Sequence, residues 1–174
     1  MNKTHYLTLS GLFLIAVGII LLFSKEVGIE SSKVLVPISF GLSGIFSFLF
    51  SKSNSQHKIA KQFHLIQAIG ILVFAAIIVS IPETLKSFLS ITTYFILVFG
   101  LFEITYTFAV LNSKSTLNKN ILFSRLIAGI VNLIGGFILM LTLFKNTLSA
   151  LLVAGILILI GGLSMVWFST KIKK

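Results

Sequence analysis

The amino-acid sequence predicts an all-α membrane protein of six transmembrane helices with both termini in the cytoplasm. The chain of 174 residues has a mean hydropathy of +1.08 and only 10% charged residues, whereas soluble domains carry about 25%. Its apolar residues form six runs, each close to the ~20 residues that cross a bilayer core. Open strands would leave backbone groups unpaired in lipid, so the runs are expected to be helices.

The predicted spans follow one another with short connections and suit a single bundle over residues 1–174, without a second domain. The first run is followed by no small-residue cleavage site, so we expect it to be retained as a mature helix rather than removed as a signal peptide. The predicted spans are residues 6–23, 34–51, 63–81, 88–111, 122–144 and 147–169.

The charges between the spans predict the orientation. An excess of Lys and Arg marks the cytoplasmic side, and one side holds ten basic residues and no acid, which indicates that both termini are inside. The ten are Lys3, Lys52, Lys58, Lys61, Lys114, Lys119, Arg125, Lys171, Lys173 and Lys174. The other side holds Lys25, Lys33, Lys86 and Lys145, with Glu26, Glu30 and Glu83.

The same distribution accounts for the net charge of +10 without a nucleic-acid partner. No basic helix and no basic face interleaved with aromatic residues is present, as nucleic-acid binding would require. The expected partners are membrane lipids, with a second copy of the chain or another membrane protein as alternatives. The cytoplasmic lysines are interpreted mainly as topology signals, although they could also contact anionic head groups.

An internal period of 59 residues predicts three tandem copies of a two-helix unit. Gly11, Gly70 and Gly129 are spaced by this period, and a regular period is the signature of a repeat architecture. The copies are approximately residues 1–56, 57–115 and 116–174. Each copy has two helices, so all copies enter the membrane in one orientation and predict a pseudo-threefold bundle.

Glycines that recur in this register are expected to lie where helices pack closely, because glycine lets two backbones approach. Some of them could instead reflect the general frequency of glycine in membrane helices. The predicted packing positions are Gly11, Gly18, Gly41, Gly44, Gly70, Gly100, Gly129, Gly136 and Gly162.

Paired helices with an early glycine, a short outer turn and a Gly-Ile or Gly-Leu step resemble the HdeD-type short-repeat membrane proteins. The residues that carry the resemblance are Gly11 with Gly41 to Ile45, Gly70 with Pro82 and Gly100, and Gly129 with Gly161 to Leu163. The resemblance covers nearly the whole chain and implies a small bacterial inner-membrane protein of a family associated with acid resistance in some members. The sequence departs from the pattern at Phe23 and Leu141, where the turn proline seen at Pro82 is absent.

Glu103 is the one acid inside a predicted span, where an ionisable group costs roughly 2.5 to 3.5 kcal/mol near the helix centre. The other two copies have Gly44 and Gly162 at this position. Glu103 could titrate as a proton site, could brace polar neighbours, or could pair with Arg125, whose long side chain can reach inward. A structural role is the favoured interpretation.

Three further polar residues lie at similar depth, namely Gln67, His64 and Asn132. Asn132 is expected to join helices rather than bind a substrate. His64 is interpreted as a solvated histidine at the membrane boundary, since His5 occupies the equivalent position in the first copy. The scattered histidines have no metal-ligand spacing, and no cysteine is present, so no metal site is expected.

No catalytic or cofactor motif is present, so no cofactor is expected and the favoured function is non-enzymatic. The chain would act as a packed bundle on the bilayer, on a lipid or on a partner in stress or acid tolerance. The first alternative is a small transporter or proton pathway lined by Glu103, Gln67 and Asn132. The second is a lipid enzyme using Glu26, Glu30 and Glu83, although the interleaved lysines favour solvated turn residues.

Overall fold

The computed structural model describes residues 3–53, 58–80, 84–113, 119–142 and 146–172. Within these ranges the chain is entirely helical and has no strand. Six of its helices are long and apolar enough to cross a membrane, as the sequence predicts. The helices are α1 (Lys3–Leu22), α2 (Ser24–Val27), α3 (Ile29–Ser53), α4 (Lys58–Ser80), α5 (Leu85–Leu111), α6 (Lys119–Thr142) and α7 (Thr147–Lys171).

The connection between α1 and α3 differs from the prediction of a simple turn. The four-residue helix α2 lies in this connection and ends at Val27, and the Gly28 that follows has a φ of 92°, a conformation that glycine adopts without steric cost. Helix α3 then begins five residues before the predicted span and includes Pro37, which removes one helical hydrogen bond. The span predicted from the apolar run is shorter than this helix, because the first turn of the helix contains polar residues.

Side-chain caps fix the beginning of two other helices. Thr84 caps α5 in a reciprocal capping box with Ser87, and the Asn146 side chain accepts hydrogen bonds from the backbone of Leu148 and Ser149 at the start of α7. Such caps satisfy amide groups that a helix end leaves without partners. Several residues of the sequence argument lie outside the described residues, namely Pro82, Glu83, Lys114, Lys145, Lys173 and Lys174.

The six long helices pack in a closed ring. The closest packing joins α3 to α4, α5 to α6, and α7 back to α1, so the two ends of the chain are neighbours. Helices α3, α5 and α7 bury a larger share of their residues than α1, α4 and α6. The outer surface carries many large apolar side chains, including Val79, Leu141 and Phe123, as expected for a bundle surrounded by lipid.

Glycines allow close backbone contact at three of the helix pairs. A Cβ built on Gly162 would lie 2.8 Å from the Gly11 carbonyl oxygen, and one built on Gly100 would lie 2.8 Å from the Gly129 oxygen. Gly18 and Gly136 pack against leucine side chains of α7 and α5, and Gly44 packs against Leu72. Seven of the predicted packing positions therefore lie at helix–helix contacts, namely Gly11, Gly18, Gly44, Gly100, Gly129, Gly136 and Gly162.

Gly41 and Gly70 do not lie at close helix–helix contacts. A Cβ on Gly41 would meet no atom within 4 Å, and one on Gly70 would meet only the Phe102 ring, at an ordinary distance of 3.9 Å. The packing role predicted for these two glycines is therefore not seen, because register along the sequence does not fix the distance between two helices. The 59-residue repeat and the orientation stay predictions.

Candidate functional site

The centre of the site is an ion pair between Glu103 on α5 and Arg125 on α6. The Arg125 Nε donates to Glu103 Oε2 and the Nη2 donates to Oε1, so the contact is bidentate. Glu103 is 0% exposed and Arg125 is 1% exposed. Charge-assisted bidentate pairs are among the strongest polar contacts in proteins, and this one brings together two residues that the sequence suggested as partners.

Gln67 extends the pair to a third helix. Its Nε2 donates a 3.0 Å hydrogen bond to Glu103 Oε1, so one carboxylate oxygen accepts from both α4 and α6. The three buried side chains connect α4, α5 and α6. A buried carboxylate is stable only when its charge and lone pairs are compensated, and these donors compensate both oxygens.

Two aromatic rings enclose the guanidinium. Arg125 Cζ lies 4.3 Å from the centroid of the Tyr106 ring and 4.6 Å from that of Phe168 on α7. A cation this close to a ring face is attracted by the ring quadrupole. Neither ring is predicted from the sequence to be part of the site. Tyr106 carried a weak signal, since it follows Glu103 by three residues and so shares its helix face.

His64 is not a solvated boundary residue, so that interpretation is wrong. Its side chain is 1% exposed, and the centroid of its ring lies 4.7 Å from that of the Phe50 ring and 5.3 Å from that of the Tyr106 ring. Neither ring nitrogen has a hydrogen-bond partner. The equivalent His5 is exposed. The two histidines differ because Phe50 and Tyr106 cover the His64 ring. Position in the repeat does not predict which side chains of other helices will cover a residue.

Asn132 lies apart from this cluster. It is buried in the middle of α6, where its Nδ2 would lie 3.1 Å from a Cβ built on Gly161 of α7. Its Oδ1 has no hydrogen-bond partner, and no hydrogen bond joins it to Glu103 within the described ranges. The structure therefore groups Glu103, Arg125, Gln67 and His64 but not Asn132.

A stripe of serines on α3 was missed by the sequence analysis. Its members are four residues apart and so share one face of the helix: Ser39, Ser43, Ser47 and Ser51. The Ser43 hydroxyl lies 3.0 Å from that of Ser10 and donates to the Ser10 carbonyl. The Ser51 hydroxyl donates to the Lys61 carbonyl at 2.7 Å. The regular spacing was the available signal.

A recess lies beside the ion pair, between α4 and α5, and is referred to as the α4–α5 recess. It has no room for a water molecule in this conformation. The lining residues are Phe63, His64, Gln67, Phe102, Tyr106 and Arg125. Among the residues that the structure describes, no group of three or more His, Cys, Asp or Glu could hold a metal ion.

The fold and the buried cluster define a class, namely a helical multi-pass membrane protein with a compensated charge inside its bundle. A protein-family model described as "Short repeat of unknown function (DUF308)" matches residues 9–80. The match runs from residue 9 in α1 to the end of α4, which is less than half of the chain, and HdeD belongs to the family that this model describes. No curated protein and no solved structure matches the chain.

Proposed function

We propose that the chain is a non-enzymatic protein of the bacterial inner membrane that supports survival under acid or related stress. The similarity to the short-repeat family, to which HdeD-type proteins belong, supports this assignment. The bundle would act on the membrane, on a lipid or on a partner protein, and a second copy of the chain is one candidate partner. Neither a cofactor nor a nucleic acid has a part in this proposal.

The observation that carries the proposal is the closed interior around Glu103. Its charge is neutralised by Arg125, and its remaining acceptor capacity is used by Gln67. A catalytic or transport site needs a reactive group that a substrate can approach. A fully compensated carboxylate favours instead a brace that holds the bundle together.

The outer acids also favour a non-enzymatic role. Glu30 forms a 3.0 Å ion pair with Lys33 one turn further along α3, and its side chain is largely exposed. Exposed pairs of this kind contribute little energy and are typical of a solvated helix end. The paired carboxylates of a lipid enzyme would require a more enclosed position.

Equivalent contacts in two helix pairs support the proposed repeat. Gly11 packs on Gly162 between α1 and α7, and Gly129 packs on Glu103 between α6 and α5. Gly162 and Glu103 are separated by one period of 59 residues, and Gly11 and Gly129 by two. Three units related by rotation about the membrane normal would place these contacts in the same way.

The proposal is tested by survival of a bacterium after acid challenge. A strain that lacks its own copy should survive less well than the parent, and expression of the chain should restore survival. Gly162→Leu is the loss-of-function variant, because it should disrupt the contact between α1 and α7 and so remove the protection. Equal survival with and without the chain would contradict the role in acid tolerance.

A proton or small-solute pathway is the second candidate, and the hydrogen bond between Gln67 and Glu103 is the observation that favours it. A chain of buried polar groups is the usual element of a proton relay in membranes. The test compares proton flux in liposomes that contain the wild type or Glu103→Gln. A flux that the substitution abolishes would establish the pathway, whereas equal flux or none would exclude it.

A further inference from the structure

The α4–α5 recess is lined by partly exposed residues on one side and by fully buried residues on the other. Phe63 and Phe102 stand at its rim and are only half-buried, whereas Arg125 and His64 lie at its closed end. Helices α4 and α5 pack less closely than α3 with α4 or α5 with α6. A Cβ built on Gly70 would lie 3.9 Å from the Phe102 ring, so the two helices are in ordinary rather than close contact beside the recess.

Unpartnered polar atoms converge on this recess. Arg125 Nη1 is buried and has no hydrogen-bond partner, and the same holds for both ring nitrogens of His64. Guanidinium nitrogens only donate, and a neutral imidazole has one donor. A buried donor without a partner is unfavourable, because it has lost its hydrogen bonds to water. The closed end therefore presents N–H donors from two side chains and would be stabilised by an oxygen acceptor.

The position relative to the helix ends indicates the source of this acceptor. Arg125 follows the start of α6 by six residues and His64 follows the start of α4 by six, which corresponds to about 9 Å along each helix. Lipid head groups and the adjoining interface occupy this depth. Lys58 and Lys61 are exposed in the first turns of α4 at the same end and add positive charge near the mouth.

We propose that the α4–α5 recess binds the phosphate group of an anionic phospholipid, whose oxygens accept hydrogen bonds from Arg125 and His64 while one acyl chain lies along α4 and α5 beside Gly70. Glu103 occupies only Nε and Nη2 of Arg125, which leaves Nη1 for the lipid. Entry requires the rings of Phe63 and Phe102 to rotate outward. The proposal deepens the proposed function by naming the ligand, and it rests on insertion in a membrane but not on acid tolerance.

The test measures lipid retained by the purified full-length chain in detergent, by native mass spectrometry. The probes are dioleoylphosphatidylglycerol, dioleoylglycerol without a phosphate, and inorganic phosphate. His64→Leu removes one donor and Gly70→Leu adds a bulky side chain where the acyl chain is proposed to lie, while both leave the ion pair intact. Gly41→Leu is the matched control, because a Cβ on Gly41 would likewise meet no close neighbour but Gly41 lies on α3, which does not line the recess.

The wild type and Gly41→Leu should each retain one phosphatidylglycerol, and His64→Leu and Gly70→Leu should bind it about tenfold more weakly, as expected for the loss of one charged hydrogen bond or its equivalent in contact. Dioleoylglycerol should be retained poorly by all four. Equal retention of phosphatidylglycerol in the wild type and both recess variants would overturn the proposal. Equal retention of dioleoylglycerol, or displacement of the lipid by millimolar phosphate, would overturn it as well.

Discussion

The carboxylate of Glu103 and the guanidinium of Arg125 form a bidentate ion pair that joins α5 to α6 inside the bundle. Neither partner is accessible from outside, and Gln67 adds a third helix to the contact. In such a pair each ion is tolerated because the other is present. The pair therefore makes the packing of α4, α5 and α6 dependent on two side chains.

Removal of one ion should destabilise the bundle strongly. Glu103→Met leaves Arg125 buried without its counter-ion, and breaking a buried pair in this way costs about 3–5 kcal/mol. The free energy of unfolding is measured by titration with sodium dodecyl sulfate from a mild detergent. The control is the double variant Glu103→Met with Arg125→Met, which removes both charges and should lose much less. A single variant as stable as the wild type would show that the pair does not hold the helices.

The aromatic enclosure of Arg125 should contribute separately. Phe168→Leu keeps an apolar side chain but removes one of the two ring faces, so the variant should lose about 1–2 kcal/mol from the cation–π contact and the altered packing. Phe123→Leu is the control, since Phe123 is mostly exposed on α6 and should change stability by about 0.5 kcal/mol or less. If Phe168→Leu costs the same when the ion pair has been replaced by two methionines, the ring does not interact with the cation.

The sequence identified the centre of the site because charge is conspicuous in an apolar span. The pairing of Glu103 with Arg125 was one of three roles that the sequence left open, since Glu103 lies inside a predicted span and Arg125 is long enough to reach it. Tyr106 and Phe168 could not be separated from the other aromatic residues, because ring stacking depends on how α5, α6 and α7 are placed in three dimensions. Depth alone suggested Asn132, but its direction around α6 places it against α7.

The fold followed from the sequence at the level of element number and type. Hydrophobic runs located all six long helices. The polar first turns and the short helix α2 were not predicted, because they carry no apolar period. For the same reason the hydroxyl contacts of α3 were missed. Serine can bond to its own helix or to a neighbour, so the sequence does not indicate which partner it will choose.

Close packing of glycine predicts a large difference between two alanine substitutions. A Cβ on Gly162 would lie 2.8 Å from both the Gly11 oxygen and the Ile15 nitrogen, which are backbone atoms that can move only with α1. Gly162→Ala should therefore destabilise the bundle by about 1–3 kcal/mol. Gly41→Ala should be neutral or slightly stabilising, because open space surrounds Gly41 and alanine favours helix. Equal effects in detergent unfolding would contradict the close approach of α1 and α7.

The hydroxyl contact between Ser10 and Ser43 should make a modest contribution. Ser43→Ala removes the bond to the Ser10 carbonyl, and hydrogen bonds between membrane helices contribute about 0.6 kcal/mol on average. The control is Thr105→Val, because Thr105 is exposed and its hydroxyl bonds only to the Leu101 carbonyl of its own helix. Unfolding in detergent should separate the two variants. A larger loss for Thr105→Val would indicate that the serine stripe does not join α3 to α1.

The predicted orientation can be tested on a single helix. Ser31 and Ser53 are exposed near opposite ends of α3, and the chain contains no cysteine, so Ser31→Cys and Ser53→Cys each introduce the only thiol. Since the basic connections are expected inside, a membrane-impermeant maleimide should label Ser31→Cys on intact spheroplasts and Ser53→Cys only after permeabilisation. The reverse pattern would invert the orientation. Each variant serves as the control for the other. Labelling of both in intact spheroplasts would place both ends of α3 outside and would show that α3 does not cross the membrane.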